Sequence, residues 1–72
     1  MEDLKNILLE IRPDINLESN SLIDDGSLDS FDIVTLVSEI IDKFNVNISV
    51  EDIISENFNS VQSIYALIER LK

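Results

Sequence analysis

Apolar residues recur at helical spacing in three stretches of the chain. Leu4, Ile7, Leu8 and Ile11 define the first apolar face. Glu2 and Asp3 precede it, as the positive end of a helix dipole favours. Pro13 disfavours helical geometry at Arg12, so this helix is expected over Asp3 to Ile11. Ile33, Leu36, Val37, Ile40 and Phe44 form a second stripe and predict a helix from Ser30 to Phe44. Val34 and Ile41 widen that stripe beyond what one packing face needs. The width reads first as core, on a helix contacted from more than one side and central in its bundle. Val61, Ile64, Tyr65, Leu67, Ile68 and Leu71 give the last face, with Arg70 and Lys72 near its negative end. Asn59 and Gln62 fit a capping box for that helix.

The connections carry their own signals. Residues 13–29 are long for a loop in a compact domain. Ile15, Leu17, Leu22, Ile23 and Leu28 need a surface to cover, so the segment is expected to pack across the helices. Ser19-Asn20-Ser21 and Asp24-Asp25-Gly26 are its turns. Gly26 is the single glycine and is expected to supply a backbone conformation that a side chain would penalise. Asp24 and Asp25 do not continue into calcium-loop spacing and read as a solvated turn. Val46 and Ile48 alternate with asparagines in a short extended link. Ser49 then caps a short helix over Val50 to Ser55, with Ile48 and Ile53 as its staple, before Glu56-Asn57-Phe58-Asn59 breaks it. The expected fold is all-α, a small four-helix bundle spanning residues 1–72 as one domain. It has three longer helices, one short helix and a long first loop.

The start of the second helix is specified three times over. Asp29 is an N-cap residue, Asp32 places a carboxylate at the third helical position, and Leu28 and Ile33 form a staple across the cap. Ser30 is thereby held just inside the first turn. The buried stripe of this helix lies almost opposite Phe31, since each residue advances about 100°. Phe31 shares its side with Thr35, Ser38 and Asp42, which makes it an expected partner contact rather than a core residue.

Composition narrows the chemistry. There is no cysteine and no histidine, which removes disulfides, thiolate sites, cysteine nucleophiles and every histidine-dependent triad. Ser30 has no base of its own chain to activate it, so no enzyme activity and no metal site is expected. Fifteen acidic residues against five basic ones give a formal charge of −10. Such a field repels nucleic acid and anionic membranes and speeds encounter with basic protein patches. No run is long and apolar enough for a membrane span, and no signal-peptide pattern opens the chain, so the cytoplasm is the expected compartment.

The string Asp29-Ser30-Phe31, with Gly26 upstream and an apolar-rich helix downstream, resembles the attachment site of acyl and peptidyl carrier proteins. The resemblance runs from Leu4 to Leu71. It implies a four-helix carrier fold, with 4'-phosphopantetheine joined to Ser30 through a phosphodiester and flanked by Asp29 and Phe31. The thiol of that group would hold cargo as a thioester for partner enzymes. It also implies a phosphopantetheinyl transferase, which supplies base and metal, and a loading ligase or synthase with a basic docking patch. Partner contacts would then fall on Phe31, Asp32, Val34, Thr35, Ser38 and Asp42 of a monomeric chain, with Asp29 and Glu39 nearby. Thr35 and Ile41 stand where fatty-acid carriers commonly place glutamates. Ser30 followed by Phe31 is frequent in peptidyl and D-alanyl carriers. The resemblance therefore leaves the cargo open among fatty acid, polyketide, amino acid and D-alanine. The alternative reading is an acidic helical interaction module that bears no prosthetic group.

Overall fold

One face of each longer helix meets in a single apolar core. A computed structural model describes residues 2–72. It contains α1 (Glu2–Ile11), α2 (Ser30–Phe44), a 3-10 turn (Val50–Asp52), α3 (Ser55–Phe58) and α4 (Val61–Leu71), and no strand among the described residues. Leu4 and Leu8 of α1, Leu36 and Ile40 of α2, and Ile64 and Ile68 of α4 are all fully buried. The close backbone approaches are of α1 to α2, of α1 to α4 and of α3 to α4. The all-α bundle expected from the apolar spacing is thus the observed architecture. Both α1 and α4 closely approach two other helices, whereas the close approach of α2 is to α1. The extra breadth of the α2 stripe is open to solvent, with Val34 66% and Ile41 37% exposed. The expectation that these two residues are core is corrected accordingly.

The long first loop is packed. Ile15, Leu22 and Leu28 are buried with the helical core, and Leu17 and Ile23 are partly buried against it. Arg12 leaves α1 with its N–H still donating to Leu8 O at 2.9 Å, while its carbonyl accepts from Ile15 N at 3.0 Å. The loop then crosses to the junction of α3 and α4. Leu22 N donates to Asn59 O at 2.9 Å, and Ile23 N donates to Asn59 Oδ1 at 3.1 Å.

That tether explains one departure at α4. Asn59 has its side chain engaged by the loop, and the cap falls to Ser60, whose Oγ accepts from Ser63 N at 3.0 Å. The expected box of Asn59 and Gln62 is therefore not formed. A second departure lies just before it. The expected helix over 50–55 is split into the 3-10 turn and α3, and 56–58 continue a helical turn instead of breaking one. The β-branched pair Ile53-Ile54 carries non-helical backbone between the two pieces. Asn57 Nδ2 closes the gap by donating to Asp52 O at 2.8 Å, and Phe58 is driven into the core. Ser49 does stand at the cap of the first piece, with Asp52 Oδ2 accepting from its N–H and its hydroxyl.

Candidate functional site at the start of α2

Ser30 is the first residue of α2 and is exposed. Asp29 before it is extended, and its Oδ1 accepts from Asp32 N at 2.9 Å. Asp32 Oδ2 reaches back to accept from Asp29 N at 3.2 Å. The two aspartates form a reciprocal capping box, an arrangement that satisfies two otherwise orphan donors at once. Leu28 is buried and Ile33 packs on the core, as the staple requires.

The turn that delivers this cap is also fixed. Gly26 adopts φ +81, and a Cβ there would meet nothing within 4 Å, so the need for glycine is conformational and not steric crowding. Asp25 braces the same turn, accepting from Ser27 N at 2.9 Å and from the Ser19 hydroxyl at 2.8 Å. The bonds from Ser27, and then that from Ser19, hold the Asp25 carboxyl below its ordinary range. Leu28 N donates to Leu22 O at 2.9 Å and closes the turn onto the loop.

Asp32 is held from a third side. Arg12 Nε donates to Asp32 Oδ2 at 2.7 Å, and Arg12 Nη2 lies 3.7 Å from Asp29 Oδ2. Partial burial pushes the Asp32 carboxyl upward. The Arg12 bond and charge and the Asp29 N–H outweigh that and hold it below the ordinary value. Arg12 is raised in turn, chiefly by its bond to Asp32.

Beside Ser30 opens an apolar groove of about 760 Å³. Ile33, Val34 and Val37 of α2 line one wall, and Ile53, Ile54 and Phe58 line the other. Ser30 itself is at its edge with Gly26, Leu28 and Asp29. Of the side chains expected to meet partners, Phe31 is 83% exposed, and Val34, Thr35, Ser38 and Asp42 are exposed as well. Thr35 Oγ1 donates to Phe31 O at 3.1 Å. Asp32 differs from these, being half-buried and bonded within the cap. Three features escaped sequence reasoning. Arg12 pairs with a residue twenty positions away, and no local pattern marks such a pair. Asn59, the expected cap of α4, instead accepts from the loop at Leu22 N and Ile23 N. Ile53 and Ile54, read as short-helix residues, form the far wall. Among the described residues no group of three potential metal-ligating side chains occurs.

A protein-family model described as "Phosphopantetheine attachment site" matches residues 2–68. The chain belongs to that carrier family. A curated relative, the acyl carrier protein of Buchnera aphidicola subsp. Schizaphis graminum (strain Sg), is 42% identical over 55 residues, covering 76% of this chain and 67% of the relative. No solved structure matches the carrier significantly.

Proteins of this family carry a group and do not catalyse a reaction, and 4'-phosphopantetheine is the group they bear. The local architecture fits it. A phosphodiester is an anion, and a helix N-terminus favours negative charge through its amides and dipole. Ser30 is exposed at such a terminus, among the residues that line the apolar groove. No helix among the described residues is long and apolar enough to cross a membrane.

Proposed function

We propose that Ser30 is the attachment point, and that the chain is an acyl or aminoacyl carrier that presents thioester-bound cargo to partner enzymes. The observation that supports this reading above all is the place of Ser30. It is exposed, first in α2, and fixed by the Asp29–Asp32 box at the edge of the groove. When bound, 4'-phosphopantetheine supplies a thiol to which cargo is joined. Asp29 and Asp32 set the helix start, and Gly26 and Leu28 set the turn before it. Phe31, Val34, Thr35, Ser38 and Asp42 offer a mixed apolar and acidic surface beside Ser30. A phosphopantetheinyl transferase and a loading enzyme with a basic, partly apolar docking patch are its proposed partners. The cytoplasm is the proposed compartment.

The test is intact mass after incubation with coenzyme A and a broad-specificity phosphopantetheinyl transferase. Wild type gains the mass of one phosphopantetheine group, and Ser30→Ala folds but gains none. A modified alanine variant, or an unmodified wild type, defeats the assignment. The groove favours cargo with an apolar portion. Loading a longer acyl chain should therefore raise the melting temperature above that of the acetyl form, because ligand contacts made only in the folded state stabilise it.

A further inference from the structure

Arg12 is one of five basic residues in a chain of charge −10, and it is placed against the two carboxylates that flank Ser30 in sequence. Its place is set by the backbone. Its N–H is held by Leu8 O and its carbonyl by Ile15 N, so its side chain leaves from a backbone fixed on both sides. The guanidinium then spans Asp32 at 2.7 Å and Asp29 at 3.7 Å. Other acids of α2, Glu39 and Asp42, lie further along the helix, and both are exposed.

Loading Ser30 requires an anion to approach this spot. The Ser30 Oγ–phosphorus bond forms as the phosphoanhydride P–O bond of coenzyme A breaks, 3',5'-ADP leaves, and the hydroxyl proton passes to a base of the transferase. Two uncompensated carboxylates in the same helix start as Ser30 would oppose the negative phosphoryl oxygens through the low-dielectric interface of the complex. We propose that Arg12 is a positioning residue for this step. It holds the Asp29 and Asp32 carboxylates in the cap and offsets half of their charge, so the acceptor hydroxyl meets a weaker negative field than the two acids alone would set up. The acids beyond it remain to attract a basic partner. This role rests on Ser30 being the attachment point.

Arg12→Gln and Arg12→Lys test it against wild type. Each is checked for fold by circular dichroism and thermal unfolding. Each is then assayed with purified transferase and coenzyme A for kcat and for KM toward the carrier, at low and raised salt. Arg12→Gln should lower kcat about tenfold, the effect of a modest rise in barrier. Its KM should not rise, because the released carboxylates add to the docking charge. Arg12→Lys should recover most of kcat, and the gap in kcat between Gln and wild type should persist in added salt, because charges within the interface are screened much less than exposed ones. A folded Arg12→Gln with wild-type kcat overturns the role, as does a loss confined to KM or one that lysine does not relieve. Should Arg12→Gln fail to fold, Arg12→Lys decides alone: near-wild-type kcat supports the role and a tenfold loss, as a rough scale, overturns it. A wild-type chain that gains no mass overturns the attachment reading itself, whereas a modified wild type with an unaffected Arg12→Gln overturns only this role.

Discussion

Arg12 Nε donates to Asp32 Oδ2 at 2.7 Å, joining the residue that follows α1 to the first turn of α2 across the whole long loop. The same Oδ2 also accepts from Asp29 N. One carboxylate oxygen thus links the end of α1 to the N-cap of α2, the residue that precedes Ser30.

This linkage gives stability a pH dependence with a defined sign. The Asp32 carboxyl lies below its ordinary value in the folded chain. Its contribution is therefore complete above the unfolded value, about 3.9 for an aspartate, and is lost as pH falls through the lower folded value. Thermal unfolding followed from neutral pH to about pH 3 should show a shallower acid loss for Asp32→Asn than for wild type below that ordinary range. Parallel curves would remove Asp32 from the acid sensitivity.

Two phenylalanines give opposite expectations. Phe58 is 1% exposed and Phe31 is 83% exposed. Phe58→Ala should cost about 3–5 kcal/mol in denaturant unfolding. Phe31→Ala should stay within about 0.5 kcal/mol of wild type while slowing modification or loading. Unimpaired modification and loading by a stable Phe31→Ala would remove that residue from the proposed partner surface.

Asn59 and Ser60 are neighbours with separate tasks. Ser60→Ala removes the cap of α4 and should cost about 1 kcal/mol. Asn59→Ala removes the side-chain bond to Ile23 N, at about 1 kcal/mol, and leaves that cap in place. Amide hydrogen exchange separates the two. Ile23 should lose protection in Asn59→Ala, and Ser63 should lose it in Ser60→Ala.

Association with a basic partner should weaken with salt, since exposed charges are screened beyond roughly 10 Å at about 0.1 M ionic strength. Asp42 is exposed. Asp42→Lys should reduce the association rate at low salt, and the difference from wild type should shrink as salt is added, with little change in melting temperature. A rate indifferent to ionic strength would assign docking to Phe31, Val34 and their apolar neighbours.

The three longer helices were legible because each buries one face at a 3.6-residue period, and the period needs no knowledge of partners. The cap at Asp29 was legible because its bonds are made within three residues. Long-range pairings were not. Nothing local tells Arg12 to meet Asp32, or Asn59 to receive the backbone of Leu22 and Ile23. The breadth of the α2 stripe was visible but ambiguous, since Val34 and Ile41 have the same polarity whether they face a neighbour or a groove. The Ile53-Ile54 pair misled in the same way: its spacing fits a helix, while the backbone there is extended enough to end one and begin the next.

The tether from Leu22 and Ile23 to Asn59 also has a consequence for biosynthesis. The segment that leads into Ser30 is anchored to a residue made thirty-six positions after Ile23. A nascent chain that has exposed Ser30 but not yet Asn59 has no partner for those two amides, and its approach to the proposed acceptor hydroxyl is still unsettled. Attachment of the prosthetic arm at the proposed site would thus favour chains whose synthesis has passed Asn59. Polypeptides stopped short of Asn59 would be poor acceptors, which would spare coenzyme A from being consumed on fragments.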